Sequence, residues 1–284
     1  MPDQAHTITP RADWTIDQGW ASYTAAEHAV WQTLFERQTR LLPGRACDAF
    51  VQGMQALPLR ADHIPDFRAL SEVLLRATGW QVVAVPGLVP DAVFFEHLAS
   101  RRFPCGQFIR RPEQLDYLEE PDVFHDVFGH VPMLMNPVIA DFIQAYGQGG
   151  LKAQRLGKLH QLARVYWYTV EFGLLQQADG LRIYGAGIAS SFAESLFAVD
   201  DPSPNRIGFN LERVMRTRYR IDDFQESYFV INGLDDLLEL ARIDFAPIYQ
   251  RLDGLPEYEP GQLLPQDALL TRGSGRHAAR AGGG

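Results

Sequence analysis

The stretch EPDVFHDVFGHVP, Glu120 to Pro132, places His125 and His130 five residues apart in an otherwise apolar setting. In a regular α-helix of about 100° per residue, positions four apart share a face, whereas positions five apart diverge by roughly 140°. Pro121 suits the first turn of a helix that continues through Val123, Phe124 and Val127, and Gly129 can take the left-handed conformation that ends one. With the helix stopped at Gly129, the His130 ring can turn back toward that of His125, and two imidazoles converge on one point. Taken alone, such a pair is more often hydrogen-bonded core or surface than a metal site.

A third group lies downstream. In ARVYWYTVEFGLL (residues 163–175), the helix-spaced positions Ala163, Trp167, Val170 and Leu174 make an apolar face, and Glu171 lies on it one turn after Trp167. A buried carboxylate costs several kcal/mol unless a cation, hydrogen bonds or a proton compensates. A metal ion would do so, and so would Arg164 or Arg182, or a helix narrow enough to leave Glu171 wet. Two histidines and one carboxylate leave open coordination positions, and nitrogen and oxygen donors without thiolate suit the non-haem iron(II) of oxygenases or the catalytic zinc of hydrolases. The common zinc peptidase spacing is H-E-x-x-H. Here the spacing is H-D-x-x-x-H, with Asp126 beside the first histidine and no glutamate base at the usual place, which favours iron. A zinc hydrolase with the same ligands, and a helical binding module without catalysis, stay open at this stage.

Composition narrows the classes further. The 284 residues are 46% hydrophobic, enough for a substantial core, and 26 basic against 35 acidic residues give a net charge of −9. With no long basic run, phosphate-backbone binding has little electrostatic support, so no nucleic-acid partner is expected. No apolar run approaches the roughly 20 residues that cross a bilayer. Cys47 and Cys105 are too few for a disulfide framework, and the N-terminus lacks the basic-then-apolar order of a signal peptide, so the expected compartment is the cytoplasm.

Helical patterns dominate the chain. Thr24 to Glu27 reads as a capping box before a helix carrying Val30, Trp31, Leu34 and Phe35. A second run carries Cys47, Phe50, Val51, Met54 and Leu57, and a third, over 67–78, meets Gly79 as its stop. Trp80–Val85 and Arg102–Ile109 read as strands around a helix near 91–98. Asn136-Pro137 is a helix start, with helices expected over 138–156, 158–177 and 234–242 and strands over 181–184 and 227–231. The organisation expected is an N-terminal extension over 1–19, a catalytic domain over 20–260 and a disordered tail over 261–284, whose end is rich in glycine, small residues and arginine.

Several separated segments, EPDVFHDVFGHVP, VYWYTVEFGLL, GQFIRR and IYGAGIASS, together resemble the pterin-dependent aromatic amino acid hydroxylases, most closely the bacterial phenylalanine hydroxylases, over about residues 20 to 250. The resemblance implies a mainly α fold: a single helical catalytic domain with a few short β-strands. It implies iron(II) held by His125, His130 and Glu171, a tetrahydropterin (tetrahydrobiopterin or a related reduced pterin), dioxygen as cosubstrate, and L-phenylalanine converted to L-tyrosine, with tryptophan or tyrosine as alternative substrates. It assigns Arg110 to the amino acid carboxylate, a task suited to a guanidinium fork, and Trp167 and Phe172 to the ring pocket. Tyr117, Pro121, Gly187 and Ser190 complete the substrate side. For the pterin, PGLVPDAVFF resembles the binding loop, with Gly87, Leu88 and Val89 along one edge and Phe94 stacking, and Tyr166 and Asp126 match pterin-side positions. Asp126 stands where the animal enzymes usually carry glutamate, Pro104 replaces a histidine, and Leu118 occupies a position often held by a hydroxyl residue. Animal members carry a regulatory domain and a C-terminal oligomerisation helix. This chain has neither room before Trp20 nor heptads after Leu264, so a monomer without substrate-activated allostery is expected.

Overall fold

The computed structural model describes residues 9–116, 118 and 120–277. The chain begins with helices α1 (Ala25–Leu41), α2 (Asp48–Ala56) and α3 (Phe67–Ala77). The α1 cap forms as the sequence implies: the Thr24 hydroxyl accepts from the Glu27 amide at 3.2 Å, and the Glu27 carboxylate accepts from the Thr24 amide at 2.7 Å. Helix α3 ends at Gly79, whose φ of 76° is the left-handed value that glycine adopts without strain. Strand β1 (Gln81–Val85), helix α4 (Asp91–Ala99) and strand β2 (Arg102–Gly106) then form a βαβ unit, with the two strands parallel and Gln81 opposite Arg102.

The second half opens with α5 (Pro137–Arg155), whose N-cap Asn136 accepts from the amides of Val138 and Ile139. Next come α6 (Leu159–Tyr166), strands β3 (Leu174–Gln177) and β4 (Gly180–Ile183), α7 (Ala186–Ala189), α8 (Phe192–Val199), β5 (Asn205–Gly208), α9 (Leu211–Met215) and β6 (Ser227–Ile231). Helices α10 (Asp235–Arg242) and α11 (Ala246–Leu252) and strand β7 (Leu269–Thr271) complete it. A five-stranded mixed sheet runs in the order β4-β3-β6-β5-β7. Helix dominates, as expected, but this sheet is more than the few short strands anticipated.

Two expectations give way. The helix expected over 158–177 stops at Phe172, because Leu174 and Leu175 pair with Val230 and Ile231 of β6 and Leu174 is fully buried there. Sheet pairing outweighs a helix-compatible pattern of leucine and glutamine. The tail expected to be disordered from 261 is placed as far as residue 277: β7 pairs antiparallel with β5, and the buried Arg213 of α9 donates from Nε to Asp267 at 2.9 Å and from Nη2 to the Gln262 carbonyl. Among the described residues no helix is long and apolar enough to cross a membrane.

The core surrounds the histidine stretch. Phe124 packs on Trp31 of α1 with ring centroids 5.4 Å apart, and Phe124 and Phe128 stack at 4.8 Å, all three fully buried. These rings fix residues 123–128 against α1, so the segment cannot rotate without opening the core.

The Arg213–Asp267 pair is 5% and 3% exposed at its side chains. Removing one partner leaves a buried charge unpaired, so Asp267→Ala is expected to cost about 3–5 kcal/mol of stability. Urea unfolding of the two proteins measures this, and a loss below about 1 kcal/mol would show that the tail segment does not hold α9.

Candidate active site

Residues His125–His130 form a π-helical turn. In a π turn the hydrogen bonds run i→i+5, so positions five apart come one above the other. This resolves the histidine interval by a different route from the expected one. Helical backbone starts at Val123 rather than Pro121, and Gly129 stays inside the π turn instead of adopting the left-handed conformation. Gly129 serves another purpose: a Cβ there would fall 2.8 Å from the Ala186 carbonyl, so its absence lets α7 press against the turn. The two Nε2 atoms lie 3.2 Å apart, with ring planes at 83°.

Glu171 ends a second π turn, Trp167–Glu171. Its Oε1 is 3.2 Å from His130 Nε2 and its Oε2 is 3.6 Å from His125 Nε2. The arginines that could have neutralised it are engaged elsewhere, Arg164 with Glu257 at 2.6 Å and Arg182 with Asp179. Burial pushes the His125 imidazolium down to about 4, so its ring is neutral. For His130 burial acts in the same direction, but the adjacent Glu171 carboxylate outweighs it and raises the value. Burial alone would raise Glu171; the two histidines and a backbone bond from Gly187 outweigh it and hold the carboxylate below its usual range.

The donor set fits a metal ion. The three ligand atoms lie within 4.8 Å of one another. Neighbouring donors about 2.1 Å from a shared ion sit roughly 3.0–3.4 Å apart, close to the spacings found here. Ser190 prepares one of them. Its hydroxyl donates to the Ala186 carbonyl at 2.8 Å and so accepts from His125 Nδ1–H at 2.9 Å, which leaves the Nε2 lone pair facing the other two ligands. The structure thus places Ser190 behind the His125 ring.

Of the residues expected to meet the substrate, Arg110 is held by Asp122, which is fully buried: Nε reaches Oδ2 at 2.8 Å and Nη2 reaches Oδ1 at 3.0 Å. Asp122 Oδ1 also accepts from the His125 amide at 3.0 Å, the position of an N-cap three residues before a helical amide. Asp122 was missed at the sequence level, although an acidic residue three places before the first histidine carried that cap signal. Arg110 Nη1 is only 3.4 Å from the Leu115 carbonyl, a weak contact that leaves this nitrogen able to bind a second carboxylate. Trp167 and Phe172 face each other at 4.6 Å, and Tyr219, also missed, stacks on Trp167 at 4.2 Å. No periodic pattern marked Tyr219. A Cβ on Gly187 would lie 3.0 Å from Phe172 Cζ and 3.2 Å from Glu171 Oε2, so a bare backbone is needed there. Pro121 directly precedes Asp122, with its carbonyl facing Gly106. Tyr117 lies outside the described residues.

Of the expected pterin residues, Tyr166 is the one that meets the His130 ring. Gly87, Leu88 and Val89 form the turn between β1 and α4, with Gly87 beside the Glu120 carboxylate and Leu88 74% exposed. Phe94 meets Tyr166 edge-on at 5.9 Å, and Tyr166 lies nearly parallel to His130 at 6.3 Å. Asp126 Oδ2 accepts from the Gly106 amide at 2.7 Å, and burial pushes its carboxyl up to about 7.

Residues 17–252 match the model of the biopterin-dependent aromatic amino acid hydroxylase family. The chain is 64% identical to a phenylalanine-4-hydroxylase of Caulobacter vibrioides over 272 residues, 96% of this chain and 92% of that protein. It is 60% identical to the phenylalanine-4-hydroxylase of Ralstonia nicotianae, over 94% of this chain and 85% of that one. The iron- and phenylalanine-bound crystal structure of phenylalanine hydroxylase from Chromobacterium violaceum superposes with a TM-score of 0.89 at 54% identity, covering 93% of this chain and 97% of that one. A structure of the same enzyme with bound iron(III) and oxidised 7,8-dihydrobiopterin gives 0.90 at 54% identity, with 95% and 99% covered.

Ser190→Ala removes the acceptor for His125 Nδ1–H. The expected result is a loss of about 10–100-fold in divalent-metal affinity with the fold intact. Metal titration of the apoprotein measures it, and unchanged affinity would remove Ser190 from the support of the site.

Proposed function

The chain belongs to the biopterin-dependent aromatic amino acid hydroxylases, and from that premise we propose that it hydroxylates L-phenylalanine to L-tyrosine, using dioxygen, iron(II) and a tetrahydropterin. The observation that carries this reading is the convergence of His125, His130 and Glu171 in a chain so close to phenylalanine-4-hydroxylases. Within it, these three side chains hold the iron. Iron and reduced pterin, when bound, supply the activation of dioxygen that no protein side chain can perform.

The chain's own contribution is binding, orientation and exclusion of water. Arg110, its fork already oriented by Asp122, receives the substrate carboxylate through Nη1, which makes only a long contact with the Leu115 carbonyl. Trp167 and Phe172 form an apolar slot for the ring, with Tyr219 behind the indole. Pro121 and Gly187 border the same slot, and Ser190 acts through His125. Phe94 and Tyr166 offer aromatic faces to the pterin, Gly87 to Val89 run along its edge, and Asp126 presents a carboxyl to it. The aromatic wall around Glu171 keeps water from the reacting atoms. A monomeric, cytoplasmic enzyme acting on a small molecule completes the reading; the net charge of −9 disfavours a phosphate backbone as partner. The zinc hydrolase alternative has no comparable support, since two of the matched Chromobacterium structures hold iron, one with phenylalanine and one with oxidised pterin.

His125→Ala, His130→Ala and Glu171→Ala are each expected to lose iron and hydroxylation together. Full iron occupancy in all three by metal analysis would dismiss the triad.

Among the described residues the slot has no evident partner for a phenolic hydroxyl, so tyrosine should bind more weakly than phenylalanine by about 1–3 kcal/mol. A competition assay with phenylalanine, tyrosine and tryptophan, supplied with iron(II), tetrahydropterin and oxygen, is expected to give mainly hydroxylated phenylalanine. Equal or faster turnover of either competitor would refute the substrate while leaving the family membership intact.

A further inference from the structure

Trp167 is held from behind by a network that the substrate assignment does not use. Its indole Nε1–H donates to Gln225 Oε1 at 2.9 Å, and Gln225 is 2% exposed. The other end of the same amide donates from Nε2 to the Arg220 carbonyl at 2.9 Å and lies 3.4 Å from the Asp223 carbonyl. The amide has one workable orientation: flipping it would set NH2 against the indole N–H and oxygen against two carbonyls. Gln225 therefore joins the indole to the turn of residues 220–225 that supports it, and Tyr219, immediately before that turn, stacks on the same indole at 16°.

That turn is in turn held by the C-terminal segment. Beyond β7, Gly273 donates its amide to Asn205 Oδ1 at 2.9 Å, Gly275 to the Ser203 carbonyl at 3.0 Å and His277 to Ser203 Oγ at 2.8 Å. Held in this way, the His277 ring lies against Phe197 and Phe224 at 5.2 and 5.1 Å and meets Asp223 Oδ1 at 2.7 Å. Asp223 is the residue whose carbonyl faces the Gln225 amide. A continuous set of contacts thus runs from the end of the described chain to one wall of the ring slot.

We propose that Gln225 is a positioning residue that fixes the plane of the Trp167 indole, and thereby phenylalanine affinity, and that His277 straps the 220–225 turn that carries it. The proposal rests on the reading that Trp167 lines the ring slot. Gln225 touches neither iron nor pterin ligands, so its loss acts on the binding of the amino acid. The proton involved stays on the indole, and no bond is made or broken.

The test is a double-mutant cycle on the iron-loaded enzyme, with phenylalanine Kd from calorimetry without pterin and KM and kcat from the full assay. Gln225→Met, close in shape but without the acceptor, is expected to raise Kd and KM about tenfold, with a smaller change in kcat and unchanged iron content. In a Trp167→Phe background, which has no N–H, the same substitution is expected to add nothing. Additive effects in the cycle, or an unchanged Kd for Gln225→Met alone, would overturn the proposal. Unchanged phenylalanine binding in Trp167→Phe alone would instead overturn the slot reading, and the proposal with it. His277→Ala alters a side chain that is 35% exposed and so keeps the test open if Gln225→Met does not fold. A rise of about two- to threefold in KM supports the strap, and no change rejects it.

Discussion

Everything in this molecule is arranged around a carboxylate and two imidazoles that face one another in the interior. Glu171 and His130 are 14% and 3% exposed at their side chains, and both arginines near Glu171 in sequence are committed to other acids. Bringing such groups together without a cation is costly, because burial opposes the charge on each. A fold that does so commits its packing to the cost, and the local backbone shows where. Both ligand-bearing segments are π turns, a rare geometry that forfeits regular α-helical hydrogen bonding and recurs at functional sites.

What stabilises the first π turn is the aromatic core beneath it. Phe124 and Phe128 are buried against α1 while the intervening residues direct His125 and Asp126 to the opposite side. The close approach of α7 at Gly129 then brings Ser190 within reach of His125. Asp122 joins two tasks, since one carboxylate caps the backbone before His125 and fixes the Arg110 fork. The group that would anchor the substrate is thereby positioned by the residue that starts the ligand-bearing turn. Preorganisation of this kind lowers the ordering cost of binding.

The larger sheet has a corresponding role on the far side. Strand β3 begins two residues beyond Phe172, so Phe172, and with it the proposed ring slot, is tied to the pairing of Leu174 and Leu175 with β6. The same β6 is paired with β5, and β5 with the C-terminal β7. The sheet therefore extends support from the C-terminal segment toward the slot, and the buried Arg213–Asp267 pair holds that segment in place.

The sequence by itself determined the groups whose signal is local. The capping box at Thr24, the Asn136-Pro137 start and the Gly79 stop each depend on neighbours within a few residues, and each forms where the pattern put it. The unusual interval of His125 and His130, and a carboxylate on an apolar helix face, also marked those residues before any fold was known. Only the tertiary structure decided the rest. An α-helical wheel cannot foresee a π turn, since the extra residue is tolerated for the packing on either side. Leu174 to Gln177 become a strand because β6 is there to receive them, and the segment from 262 to 271 is held because Arg213 and β5 bind it. Asp122, Tyr219 and Gln225 gain their roles from partners at other positions in the chain, 12 residues away for Arg110 and 58 for the Trp167–Gln225 bond. A side chain's own type fixes what it can donate or accept, but its partner is chosen by packing among segments that local periodicity does not relate.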